Sequence, residues 1–286
     1  ELIRALKKDA PADESILKPV WADNIPHADH IEMIPPKHAS KDLQADLDYF
    51  AERYERFMKD GFIASMTDNA MAILAFHGAE VLGELGLDAP ADQVLFHLNT
   101  FHRKEELDRI LNFAQDHGIR NILVITGDGS DKMHKLEPAE LGRTDVPVIT
   151  SVELLEYIHK NYPAFILGAA FNPYEPPENE FAKLDRKLAA GASYVITQPI
   201  IGRDEQIDRL VRDYPDLPVI LEVWMSKKLY LLADVFDREI PEDTPYDPFE
   251  TLETVRKLYP GCGINYSLMA YRTQYETISE MRRNRK

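Results

Sequence analysis

Three polar side chains stand where this chain would otherwise carry apolar ones, and each has a type suited to chemistry. Glu32 lies in "HIEMIPP", among apolar residues and beside two prolines. Burial raises a carboxyl pKa, which makes such a glutamate a usable general acid near neutrality. A salt bridge to Lys37 is the plainer alternative. Asp128 follows Gly127 in "TGDGSDK", where an Asx turn or a helix cap would equally account for it. Gln198 closes the apolar run of "YVITQPI". Its amide can donate and accept toward one flat heterocycle, or it can satisfy a neighbouring strand.

Other chemistries find less support. Two carboxylates could serve glycoside hydrolysis, but sugar-stacking aromatics are thin, with 2 Trp in the chain. His97 sits inside a strand-like run, whereas His27, His30 and His102 fall in loops or at strand starts, where surface roles are expected. No metal site is expected from them. No Gly-x-Ser-x-Gly motif occurs, and Cys262 opens a strand, so a Ser or Cys nucleophile is unsupported.

These residues need elements to position them, and the chain supplies an alternation. Apolar, β-branched runs occupy 30–36, 62–68, 94–100, 121–127, 165–171, 194–200, 218–224 and 262–268. Helix-period segments lie between them, such as 41–61, 103–118, 151–163 and 178–191. The segment ending at Gly118 has a residue there that accepts the left-handed conformation of a helix end. The stripe "AMAILAFHGAEVLGEL" (70–85) reads as a helix packed on the core.

Parallel strands covered on both faces read as continuous apolar runs. Eight strand–helix units predict a (β/α)8 TIM barrel spanning 30–286, with 1–29 as an N-terminal arm. A doubly wound open sheet is the rival, but no glycine-rich dinucleotide fingerprint follows any strand. Residues 236–250 form the longest expected irregular insert. In such a barrel chemistry sits at the carboxyl ends of the strands. Glu32, Thr67, Asp68, His97, Asn99, Thr126, Asp128, Gln198, Glu222, Trp224, Asn265, Tyr266 and Ser267 all fall toward that end.

Composition narrows the partners. The 286 residues are 44% hydrophobic and 29% charged, enough for a large core. With 33 Lys+Arg against 49 Asp+Glu, the formal charge is −16, so nucleic acid and anionic membrane are poor partners. One cysteine excludes an internal disulfide and suits a reducing compartment. No run approaches a membrane span, and the first residues lack a signal peptide's apolar centre, so a soluble cytoplasmic protein is expected.

Four segments in this order resemble the methylenetetrahydrofolate reductase family. "IEMIPPKH" is similar to that family's Glu-Phe-Phe-Pro-Pro-Lys opening. "FHLNTFHRKEELDRILNFAQDHGIRNILVITGD" resembles its His-Leu-Thr segment and its Gly-Ile-Arg-Asn-Ile strand. "KLDRKLAAGASYVITQPI" resembles the stretch before its Thr-Gln strand end. The resemblance implies interconversion of 5,10-methylene- and 5-methyltetrahydrofolate, with FAD carrying hydride and NAD(P)H as electron source. Glu32 would then protonate folate N10, Asp128 would favour the resulting 5-iminium cation, and Gln198 would hydrogen-bond the pterin. Trp224 and Tyr266 would join the substrate site. Thr67, His97, Asn99, Thr126, Ala170, Phe171, Arg186 and Lys187 would contact the flavin, Lys187 at its pyrophosphate. The family habit implies a homo-oligomer.

The chain also departs from the family. Its Arg-Gly-Asp reads "TGD" here, so Thr126 replaces an arginine, and "FNPYEPPENE" is shorter than the family loop and lacks its histidine. Two alternatives follow: direct hydride transfer from NAD(P)H without flavin, and a non-redox folate-binding or methyl-transfer barrel.

Overall fold

The computed structural model describes residues 17–267 and 271–285. Among them, eight strands close into one parallel barrel in sequence order. They are β1 (Asp29–Met33), β2 (Ile63–Met66), β3 (Val94–Leu98), β4 (Asn121–Val124), β5 (Ile166–Phe171), β6 (Ala192–Thr197), β7 (Val219–Trp224) and β8 (Gly263–Ser267). β8 pairs back onto β1, with His30 beside Asn265. All eight expected strands are present, each within or a residue or two off its apolar run.

A helix follows each strand: α1 (Leu43–Asp60), α2 (Gly78–Leu85), α3 (Lys104–Asp116), α4 (Ser151–Asn161), α5 (Pro177–Ala189), α6 (Glu205–Asp213), α7 (Pro248–Leu258) and α8 (Tyr271–Arg285). Their ends follow local chemistry. The Asp42 side chain accepts from Ala45 N at the start of α1, and left-handed Gly61 (φ 75°) ends it. Thr150 and Glu153 form a reciprocal capping box on α4. Gly118, past the end of α3, is left-handed as its position predicts (φ 71°).

Two expectations change. The 70–85 stripe is α-helical only from Gly78, and Ala70–Ala72 form a short, distorted 3-10 turn. Asn69, Met71 and Ala72 have positive φ, and Met71 is 80% exposed. The Asn69 side chain accepts from Ala75 N across this turn, which holds the segment out of a helix. The 236–250 insert is likewise cut short, because Asp247 caps and Pro248 opens α7. The longer irregular stretch is 125–150, relieved by one short 3-10 turn at Pro138–Leu141.

Alternation along each strand divides the core in two. Ile31 and Met33 pack outward into the large layer shared with the helices, so His30 and Glu32 point into the barrel. The lower interior is closed by Leu95, Leu123, Ile166, Tyr194 and Ile220 around Trp21. Trp21 comes from a short 3-10 helix, Val20–His27, which lies under the barrel. Its ring meets His30 and Tyr194 edge-on at 5.0 and 5.2 Å. Residues 1–16 of the expected arm lie outside the described residues.

Gly168 has a packing role. A Cβ there would lie 2.2 Å from the Tyr194 ring. The β5–β6 register shifts between Leu167 and Gly168, which makes room for that ring.

Candidate active site

The carboxyl ends of the strands gather two groups of polar side chains. The first crosses the β7–β8–β1 seam. Ser267 donates its hydroxyl to Glu32 Oε2 at 2.5 Å. Glu222 stands on β7 opposite Asn265, so β8 carries polar residues between two inward carboxyls. Burial pushes the Glu32 carboxyl above its ordinary range, with Ser267 opposing. Burial, and then the charge of Glu32, push Glu222 well above its range, with Ser267 and Asn265 opposing. Two neighbouring carboxyls both pushed upward retain protons more readily than free ones, which is the direction a general acid needs. Glu32 thus bonds to Ser267 rather than bridging to Lys37.

Sequence reasoning placed Glu222 at a strand end and assigned it no role. The available signal was its setting, "VILEVW", which repeats the apolar setting of Glu32. The pairing itself depends on which strands adjoin.

The second group lines a cavity of about 490 Å³ at the ends of β4, β5 and β6. Thr126, Asp128, Ala170, Arg186, Lys187 and Gln198 all face it. Gln198 N donates to Phe171 O at 2.9 Å, which fixes the residue at the lip. The Thr126 hydroxyl accepts from Ser151 N at 3.1 Å, beside the Thr150 cap of α4, and among the described residues keeps its O–H free toward the cavity. Lys187 is a buried residue rather than a solvated helix lysine. Its Nζ donates to Ala170 O at 2.6 Å and lies 3.7 Å from Glu180. Burial lowers its pKa, with Glu180 opposing. Arg186 is exposed and forms no ion pair among the described residues.

Glu32 is not among the residues facing this cavity. It approaches the barrel mouth from β1, while Asp128 and Gln198 approach from β4 and β6. All three stand on the same rim.

Other expected site residues are distributed differently. Tyr266 and Phe171 are on the outward alternation of their strands. The Tyr266 hydroxyl bonds to Asp29 at 3.0 Å, and the Phe171 ring packs edge-on to Phe181 at 5.3 Å. Both rings therefore face the helix layer and not the mouth. Trp224 does stand at the rim, packed with Leu229, Leu232 and Phe236. The Asn99 amide is engaged in structure: Nδ2 donates to Asp68 O at 2.9 Å and Oδ1 accepts from Phe101 N at 2.7 Å. The Thr67 hydroxyl is buried without a hydrogen-bond partner among the described residues.

The histidines are the largest surprise. His30 is fully buried inside the barrel, and burial followed by the charge of His97 holds its pKa near about 3. His97 bonds Ser65 Oγ at 2.8 Å, and burial lowers its pKa to about 4. Both are neutral imidazoles at pH 7. His102, expected at the surface, is buried and pairs with Asp68 at 2.7 Å. Burial opposes its charge, but Asp68 and Glu106 prevail and raise its pKa to about 10. Sequence spacing cannot reveal this contact, because the partners are 34 residues apart.

A closed parallel barrel with an acid pair and a polar cavity at the carboxyl ends of its strands is a (β/α)8 barrel with the site architecture of that fold. Residues 28–269 match the model of the methylenetetrahydrofolate reductase family. The chain belongs to that family. No curated protein sequence matches it. Among solved structures, it is similar to an uncharacterised protein from Clostridium thermocellum that binds two copies of 5-methyl-5,6,7,8-tetrahydrofolic acid. That pair is 14% identical with a TM-score of 0.60, covering 90% of this chain and 94% of the other. It is also similar to QR15, an aldolase, at 11% identity and TM-score 0.50, over 85% and 91% of the two chains. These likenesses show the fold. Among the described residues, no helix is long and apolar enough to cross a membrane.

Proposed function

We propose that this protein interconverts 5,10-methylenetetrahydrofolate and 5-methyltetrahydrofolate, with NAD(P)H as electron source and FAD as hydride carrier. The observation that carries the reading is the pair of buried, inward carboxyls Glu32 and Glu222 at the barrel mouth, both pushed upward by burial. Glu32 holds a proton at a carboxyl oxygen and delivers it to folate N10, opening the methylene bridge to a 5-iminium cation. Asp128, at the cavity edge, favours that cation. The Gln198 amide orients the pterin by donating and accepting along one edge. The neutral His97, fixed by Ser65, presents a polar edge to the mouth without adding a charge.

Two features fit a flavin dinucleotide. Arg186 offers an unpaired guanidinium to a diphosphate, and Thr67 has a buried hydroxyl in need of a partner. Arg186, Lys187 and Lys183 would hold the diphosphate, with Thr67 and Ala170 nearer the ring system. When bound, FAD supplies hydride relay between the nicotinamide and the one-carbon unit. One feature favours a second reading, direct hydride transfer from NAD(P)H: Thr126, which faces the cavity where the family's arginine is expected, offers a flavin no charge.

The test is Glu32→Gln. It should abolish folate turnover while leaving NAD(P)H-dependent flavin reduction intact. Normal folate turnover in that variant would remove Glu32 from the mechanism. Protein lacking flavin's visible absorbance, yet oxidising NAD(P)H with methylenetetrahydrofolate, would decide for direct transfer.

A further inference from the structure

The Asp128 carboxylate forms no ion pair or hydrogen bond among the described residues, so its place depends on how the chain beside it is held. Both flanking glycines lie against the segment that follows β3. A Cβ on left-handed Gly127 (φ 77°) would stand 2.6 Å from Asn99 Cβ, and one on Gly129 would stand 2.0 Å from the Phe101 ring. No side chain fits at either position, and the two glycines let the loop after β4 settle onto residues 99–101. At the start of that loop, the Thr100 hydroxyl donates to Thr126 O at 2.7 Å. Farther along, Leu136 N donates to Thr100 O at 2.8 Å, and Lys135 Nζ lies 4.4 Å from the centre of the Phe101 ring.

Residues 99–101 are themselves rooted in Asp68, at the end of β2. Its Oδ2 accepts from Asn99 N at 2.8 Å and lies 2.7 Å from His102 Nε2. Its Oδ1 accepts from Asn69 Nδ2 at 3.1 Å. Asn99 returns the contact, since its Nδ2 donates to Asp68 O at 2.9 Å. The Asn99 Oδ1 accepts from Phe101 N at 2.7 Å, an Asx turn that sets the direction of the Phe101 ring. Asp68, Asn99, Thr100 and His102 are all buried. An apolar side chain could fill the volume of Asp68, but it would leave the Asn99 N–H buried and unpaired.

We propose that Asn99 is a positioning residue for Asp128, and that the Asp68–His102 pair fixes Asn99 in turn. Order at the end of β2 thereby reaches the carboxylate at the cavity edge, through contacts between neighbouring loops. The inference rests on the folate reading above and deepens it, since it says what sets the distance between Asp128 and the cation it favours.

A double-substitution cycle on folate turnover tests it, with Asn99→Ala, Asp128→Asn and the two combined. Asn99→Ala should lower kcat by about tenfold to a hundredfold, the scale of loss when a reacting group is misplaced. It should also speed amide exchange in residues 126–130, read by mass spectrometry. In the Asp128→Asn background, Asn99→Ala should cost nothing further, because the group it positions is already gone. Asn99→Ser keeps an acceptor for Phe101 N, so it should lose less, and it carries the cycle if the alanine variant does not fold. Equal losses from the Asn99 substitution in both backgrounds, or unchanged exchange in residues 126–130, would overturn this inference alone. Normal turnover in Asp128→Asn would remove Asp128 from the mechanism and this inference with it. Absence of any folate turnover in the unaltered protein would overturn the folate reading as a whole, and the inference built on it.

Discussion

The buried pair of Asp68 and His102 makes a quantitative prediction about stability and pH. The imidazole lies 2.7 Å from Asp68, with Glu106 at 3.4 Å and the His77 ring 6.2 Å away. Its pKa rises from 6.5 to about 10 in the folded chain. The folded state therefore keeps a proton that the unfolded chain releases between those values. Stability from this group is complete below pH 6.5 and is lost as pH climbs toward about 10. The full displacement corresponds to about 5 kcal/mol, close to the 3–5 kcal/mol typical when one partner of a buried pair is removed. His102→Gln should thus unfold in urea at lower concentration than the unaltered protein, by about 3–5 kcal/mol near pH 6. By about pH 9 the gap should shrink by roughly 3 kcal/mol, because the unaltered protein has lost most of its advantage. A gap of constant size across that range would refute the reasoning and mean that His102 does not titrate with folding.

Other predictions concern the mouth and the barrel interior. Ser267 stabilises the ionised form of Glu32, so Ser267→Ala should raise the Glu32 pKa and carry folate turnover to higher pH; a pH–rate profile with an unmoved alkaline limb would contradict this. Arg186→Ala should weaken retention of a flavin dinucleotide on dialysis by about tenfold without altering thermal unfolding of the flavin-free protein. Gly168→Ala would force a methyl against the Tyr194 ring, costing about 1–3 kcal/mol and lowering Tm by roughly 2–4 °C for each, measurable by circular dichroism.

The barrel was legible because buried parallel strands leave uninterrupted apolar runs, and eight such runs, "VLFHL" and "VILEVW" among them, alternate with helix-period segments. The exceptions are local. The 70–85 stripe has helical spacing, but the Asn69 side chain takes the Ala75 N–H and the first turn never forms. At the site, residue types such as Glu32 and Gln198 announced themselves by being polar in apolar runs. What they touch did not, since Glu222 meets Glu32 across β8 and His102 reaches Asp68 across a strand turn. The orientation of Tyr266 was lost for a related reason. A one-residue change of face sends the ring to the helix layer, and a polar triplet such as "NYS" gives no hint which members point inward.

The Asp29 carboxylate joins distant parts of the chain, accepting from Arg256 at 3.0 Å, Arg282 at 3.0 Å and Tyr266 at 3.0 Å. These partners follow it by 227, 253 and 237 residues. During synthesis, Asp29 emerges from the ribosome long before any of them, and N-terminal segments ordinarily fold first. The first strand thus has to wait, paired on one edge only, until nearly the entire polypeptide has been made. Late closure of this kind leaves an open strand edge through most of translation, and truncation within the last helix would prolong that exposure indefinitely.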